Sequence, residues 1–267
     1  MKIYSYSLQG RRNSNEDTHI IINNLSGTNK KIYPIDFLAV FDGHGGKLVS
    51  KYLKYNLPEY FTKKSSDNIY LKSHSYLVKH FTKVFDNIQN ELINDHPRAS
   101  NTCGSTACIS IYYIDNNNKH KLWVLNVGDS RIIKCNKSYI AEQLSVDHKP
   151  SYSKERERIE QLGGKIEFDG VDWRIKDLSL SRAIGDLDSK PYVSHLPEIY
   201  KYNISNNDKF LIIACDGLWD IISNQDAIDF VKNLFNQKFT GNIAKELAEY
   251  AYYRGSLDNI TILIYIF

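Results

Sequence analysis

Hydrophobic positions along the chain follow two periods. Consecutive apolar residues in FLAVF (37–41), KFLIIAC (209–215) and the closing NITILIYIF have the pattern of strands buried on both faces. Apolar residues spaced by three and four mark helices instead. Over 47–60, Leu48, Val49, Tyr52 and Leu53 share one face with lysines opposite, and over 71–94 Leu77, Phe81, Val84, Phe85, Ile88 and Leu92 form a longer stripe. From Thr106 to Ser145, strand-rich runs alternate with turn clusters at Asp115–Asn118 and Asn136–Ser138, which predicts an antiparallel meander.

A charged helix is expected at about 151–162, with Ser151 as its N-cap and Gly163 and Gly164 at its end. KIEFDGVDWRI reads as a hairpin turning at Asp169 and Gly170, and two further helices are expected at roughly 223–236 and 241–254. Strand clusters and helix clusters are segregated, which predicts antiparallel sheets with helices outside them. No Pro/Gly/Ser-rich linker divides the order, so residues 1–267 are expected to form a single domain.

Composition narrows the class. Apolar residues make up 42% and charged residues 24% of 267, the balance of a folded globular chain. A net charge of +3, from 34 basic and 31 acidic residues, argues against a polycationic surface for nucleic acid or membrane. Cys103, Cys108, Cys135 and Cys215 form no CxxC pair and three of them lie in or beside apolar runs, as reduced core residues do. MKIYSYSLQG lacks the apolar core of a signal peptide, Lys2 stands where myristoylation needs glycine, and no window is apolar over a membrane-spanning length. A cytoplasmic protein, or a nuclear one, is the expectation.

The chemistry begins where the core strands end in charge. FLAVFDG at 37–43 is echoed by FLIIACDG at 210–217, Asp258 stands just before the last strand, and Glu16 and Asp17 precede the apolar run HIII. Burying a lone carboxylate costs several kcal/mol unless something positive meets it. One Asp-Gly after a strand is an ordinary turn. Four acidic sites at the ends of core strands point instead to a shared cation, and an all-oxygen donor set suits Mg²⁺ or Mn²⁺ rather than Zn²⁺.

RRNSNEDTH, FDGHGG, GSTA, VGDSR, DHKP, SRAIGD, ACDGLWD and LDN occur in this order from Gly10 to the last strand. Together they resemble the metal-dependent Ser/Thr protein phosphatases of type 2C, the PPM family. The resemblance implies an α+β fold, a four-layer α-β-β-α sandwich of two antiparallel sheets flanked by helices, with a binuclear Mn²⁺ or Mg²⁺ centre at one end. It makes Asp42 the bridging ligand, with the Gly43 carbonyl, Asp216 and Asp258 completing the set and Glu16 and Asp17 binding through coordinated water. Asp147, with Asp216 and Asp220, resembles a weaker third metal site.

The implied reaction is hydrolysis of phosphoserine and phosphothreonine in protein substrates by a metal-bridging hydroxide, which two cations make available near neutral pH. Arg12, four residues before Glu16, matches the phosphate-binding arginine, and Arg11 is the weaker choice; a guanidinium grips two phosphate oxygens at once. His44 matches the acid that protonates the leaving oxygen. No nucleic-acid or membrane partner is implied, and a monomer is expected.

Other motif residues carry structural expectations. Gly104, Ser105 and Thr106 let a strand pack closely, Asp129 pairs with Arg131, Ser181 and Arg182 enter a buried network, and Glu155, Arg156, Glu157 and Arg158 form a solvated helix face. Two departures from the family pattern stand out. Lys176 and Asp177 occupy the place of a flap glycine, which puts the geometry of 169–177 in question, and Leu257 replaces a basic residue before Asp258. A pseudophosphatase acting as a regulatory binding module would lack a metal Asp, and none is missing. A haloacid-dehalogenase-type phosphatase needs a second Asp where His44 stands, and the near-neutral charge weighs against a nuclease.

Overall fold

A computed structural model describes residues 2–25, 34–65, 70 and 72–267. Numbered in chain order, the strands build two five-stranded sheets. One runs β1 (Lys2–Leu8), β15 (Ile260–Ile266), β14 (Phe210–Ala214), β8 (Arg131–Cys135), β9 (Ala141–Gln143). The other runs β13 (Glu198–Ile204), β7 (His120–Val127), β6 (Ala107–Ile114), β3 (Ile35–Phe41), β2 (Thr18–Ile22). Every neighbouring pair in both is antiparallel.

The alternation of side chains across each strand explains the continuous apolar runs. Along β3, Phe37, Ala39 and Phe41 face helices α1 (Leu48–Ser65) and α2 (His74–Asp95), in a core with Leu53, Phe81 and Ile88. Leu38 and Val40 point the other way, into a core shared with Leu211, Ile213 and Leu263 of the opposite sheet. That sheet's outer face, with Ile212, Ile262 and Ile264, packs on helices α5 (Asn224–Asn236) and α6 (Ile243–Tyr253). The result is the expected α-β-β-α order of four layers. All four cysteines are free and buried.

The meander was not borne out. β6 and β7 pair with each other, but β8 and β9 belong to the opposite sheet, because the chain crosses over at Gly128, whose φ of 102° suits glycine. β1 and β13 had no counterpart in the sequence reading; both are half-buried edge strands with weak alternation. Helix α1 runs on past residue 60 to Ser65, with Pro58 inside it. Helix α2 starts at His74 behind a Ser73 cap; residue 71, its expected start, lies outside the described residues. Helix α3 (Ser153–Gln161) has Tyr152, not Ser151, at its N-cap position, without a capping side chain. The hairpin turns as expected between β10 (Glu167–Phe168) and β11 (Trp173–Arg174), with the Asp169 carboxylate accepting from the N–H groups of Val171 and Asp172.

Candidate active site

Three short strands close one end of the sandwich: β4 (Gly43–His44), β5 (Gly104–Ser105) and β12 (Ile184–Gly185), in the order β12-β5-β4. Of these, β4 lines a cavity of about 510 Å³ whose walls include Arg12, Glu16, Asp42, Gly43, His44, Asp129, Arg174, Asp216 and Asp258. Three of the acidic groups arrive from the ends of core strands. Asp42 follows β3, Asp216 follows β14 at the start of the short helix α4 (Asp216–Trp219), and Asp258 precedes β15. A strand end held by a cross-sheet ladder is a rigid mount, and that is why the apolar runs matter to the chemistry.

Backbone contacts fix these mounts. The Asp42 N–H donates to Thr106 Oγ1 at 3.0 Å while the Thr106 N–H donates to the Asp42 carbonyl at 2.9 Å, so GSTA grips FDG from both sides. A Cβ on Gly43 would stand 2.5 Å from the Glu16 carbonyl oxygen, and one on Gly217 2.0 Å from that of Asn259. Asn259 itself had no role in the sequence reading. Its Oδ1 accepts from the Glu16 N–H and its amide donates to the carbonyls of Gln9 and Ser14, which ties the loop carrying Arg12 and Glu16 to the last strand.

The electrostatics are those of an acidic nest. Burial, then the mutual repulsion of Asp17, Asp42, Asp216, Asp129 and Asp258, holds the Asp42 carboxyl well above the usual carboxylate range. Burial and the neighbouring Asp129 do the same to Asp216, and burial pushes Asp17 to about 6. Neither oxygen of the buried Asp17 has a hydrogen-bond partner. Donor atoms of Asp17, Asp42 and Cys215 lie within 4.8 Å of one another. Orphaned, mutually repelling carboxylate oxygens are the donors a hard divalent cation takes, so the residues present fit one. Glu16 is less free: its oxygens accept from Ser14 Oγ and from the Gly46 N–H.

Arg12 Nη2 donates to Asp258 Oδ2 at 2.6 Å. His44 Nε2 lies 2.6 Å from Asp186 Oδ2. Burial disfavours the imidazolium, but the hydrogen bond and charge of Asp186 outweigh it and raise the His44 pKa above the ordinary histidine value.

Three pairings differ from expectation. Asp147 does not line the cavity: Arg131 clamps it from Nε at 3.0 Å and Nη2 at 2.5 Å. Asp129 stands in the cavity instead, paired not with Arg131 but with Lys149 at 2.9 Å, and Lys149 also approaches Asp220 to 3.8 Å. The available signal was Gly128–Asp129 directly after a buried strand. Glu155 and Arg158 are not a solvated face. Glu155 is buried, accepting from Arg182, Arg158 and Ser181 at 2.5–2.8 Å through its shortest contacts to each, so Ser181 and Arg182 do enter a buried network. Arg156, on the same helix, lies over the Trp173 ring of the flap. Lys176 adopts the left-handed conformation (φ 53°) that a glycine would take without strain, and its Nζ is held by the Asp188 carbonyl. Leu257 is exposed beside Asp258.

Comparison with known proteins agrees with this geometry. The family model for protein phosphatase 2C matches residues 1–260. Protein phosphatase 1L of Bos taurus is 35% identical over 267 residues, covering 97% of this chain and 70% of its own length. Probable protein phosphatase 2C 11 of Arabidopsis thaliana is 38% identical over 98% of this chain and 65% of its own length. Among solved structures, a C. elegans sex determining protein superposes with a TM-score of 0.86 at 27% identity, covering 99% of this chain and 64% of that one. A serine-threonine phosphatase 2C from Toxoplasma gondii superposes with a TM-score of 0.80 at 23% identity, covering 99% and 94%. The chain belongs to the protein phosphatase 2C family and is a Ser/Thr protein phosphatase.

Proposed function

We propose that the chain hydrolyses phosphoserine and phosphothreonine in proteins with divalent cations, Mn²⁺ or Mg²⁺, held by Asp42, the Gly43 carbonyl, Asp216 and Asp258, and with Glu16 and Asp17 engaged through coordinated water. The observation that carries this reading is Asp17, whose two buried oxygens lack hydrogen-bond partners and face Asp42. What two such cations supply when bound is an acidified water at neutral pH and positive charge for the phosphoryl oxygens.

The remaining work falls to the chain's own side chains. Arg12 reaches the phosphate oxygens from the cavity wall, orienting the phosphoryl group with a planar fork of N–H donors. His44 delivers a proton to the departing seryl or threonyl oxygen. Asp129, Asp216 and Asp220 offer a weaker third cation site, with Asp129 in the role expected of Asp147. The pseudophosphatase reading is not favoured, since every acidic position of the set is present.

The test is hydrolysis of p-nitrophenyl phosphate and of a phosphothreonine peptide with Mn²⁺, with EDTA, and after Asp216→Asn. Loss of turnover in the last two conditions is expected. Activity surviving either one would sink the metal-dependent reading.

A further inference from the structure

We propose that Asp186 is a positioning residue for the hydrolysis, fixing the imidazole of His44 so that its second nitrogen meets the oxygen leaving phosphorus. The proposal rests on the reading of His44 as the proton donor.

The three-stranded end sheet exists to bring these two side chains together. Gly104, in its central strand, is paired on one side with His44 and on the other with Gly185, the residue before Asp186. Side chains leaving two outer strands beside one central residue meet over it, provided that residue has nothing there. A Cβ on Gly104 would lie 2.1 Å from Asp186 Oδ2 and 2.5 Å from His44 Nε2, so the glycine is the space in which the pair forms.

Asp186 is held as firmly as an active-site carboxylate needs to be. Its backbone is left-handed, with φ 49° and ψ 46°, a conformation that costs energy for a residue with a Cβ and marks a functional constraint. Its N–H donates to the Cys103 carbonyl at 3.2 Å, and the neighbouring Gly185 N–H donates to Gln89 Oε1 of helix α2 at 2.9 Å. The Asp186 side chain is 3% exposed, against 25% for His44, so one partner is fixed in the core while the other looks into the cavity.

With Nε2 engaged by Asp186, the proton in transit is the one on Nδ1. As a water oxygen bonds to phosphorus and the bond from phosphorus to the seryl or threonyl oxygen breaks, the electron pair of the broken bond goes to the departing oxygen and the Nδ1 proton follows it. The product is the free hydroxyl and a neutral ring that Asp186 still orients; solvent returns the proton. An aspartate that orients a histidine in this way governs tautomer and aim without itself gaining the proton.

The experiment compares p-nitrophenyl phosphate, whose leaving group hardly needs an acid, with a phosphothreonine peptide, whose leaving group does, for Asp186→Asn, Gly104→Ala, His44→Ala and the His44→Ala/Asp186→Asn double variant, all with Mn²⁺. Asparagine tolerates the left-handed conformation, so Asp186→Asn keeps the backbone. The expected result is a kcat loss on the peptide of tenfold or more beyond the loss on p-nitrophenyl phosphate, with little change in KM and no further loss in the double variant, in line with the roughly 10²–10⁴-fold that a positioned acid contributes. Gly104→Ala, which displaces the pair without touching either charge, is expected to show the same selectivity. Equal losses on both substrates for Asp186→Asn, while His44→Ala remains selective, would overturn the proposal and leave the acid intact. Equal losses for His44→Ala itself would overturn both.

Discussion

Arg12 Nη2 donates to Asp258 Oδ2 at 2.6 Å, which ties the guanidinium proposed to bind phosphate to a carboxylate of the proposed metal set. The Arg12 side chain is 59% exposed, so this ion pair is screened and adds little to stability. Its value is in aim: the carboxylate holds the guanidinium plane at the cavity wall. Arg12→Ala is expected to raise KM for a phosphothreonine peptide at least tenfold while leaving the melting temperature nearly unchanged. Arg12→Lys should recover little, because an ammonium carries the charge without the fork. Steady-state kinetics on the three proteins decide it, and full rescue by lysine would show that charge alone suffices.

Asp147 and Asp129 should part company when each is replaced. Breaking a buried ion pair by removing one partner costs about 3–5 kcal/mol, and Asp147 is buried against Arg131. Asp147→Asn is therefore expected to lower the melting temperature while Mn²⁺ titration calorimetry still finds the same sites. Asp129→Asn should weaken the loosest Mn²⁺ site. If Asp147→Asn instead removed a cation without destabilising the fold, Asp147 would belong with the metals.

The contrast between those two residues shows what a sequence exposes and what it hides. FLAVF, FLIIAC and ITILIYIF were legible because burial on both faces writes itself into consecutive residues, and the charges at their ends were legible as anomalies against that pattern. Pairings set across the sandwich were not. Whether Asp129 meets Arg131 or Lys149 depends on the chain changing sheets at Gly128, and no local pattern records which sheet a strand joins. Glu155 looked like one of four alternating charges on a surface helix, yet Arg182, 27 residues on in the chain, covers it. Edge strands β1 and β13 were missed for a related reason, since half-burial leaves only a faint alternation.

Glu155 gives the protein an acid limb. Burial alone would raise its pKa, but hydrogen bonds and charge from Arg182, with help from Arg158 and Ser181, pull it down to about 2 from an ordinary 4.5. A depressed carboxyl contributes stability that is present above the unfolded-state value and is lost as pH falls through the folded one. That window is pH 4.5 down to about 2, and the shift corresponds to about 3 kcal/mol. Glu155→Gln is expected to melt lower at pH 7 and to lose less stability than the parent across that window. Parallel curves of melting temperature against pH would refute the assignment.

Metal removal should reverse the usual pH trend at higher pH. In the acidic nest, burial and like charge raise Asp42 and Asp216 well above the carboxylate range and bring Asp17 to about 6. The folded metal-free protein then holds protons that the unfolded chain has released above pH ~4, the ordinary carboxylate range. Folding accordingly becomes less favourable as pH rises through these folded-state values, for Asp17 between about 4 and 6. Protein in EDTA is expected to melt lower at pH 7 than at pH 5, and saturating Mn²⁺ to raise the pH 7 melting temperature while expelling protons, which calorimetry in buffers of different ionisation enthalpy counts directly. Asp17→Asn should make the EDTA curve shallower between pH 5 and 6, the upper part of the Asp17 window. A metal-free protein whose melting temperature holds level or climbs from pH 5 to pH 7 would mean that these carboxylates are neutralised by something other than a cation.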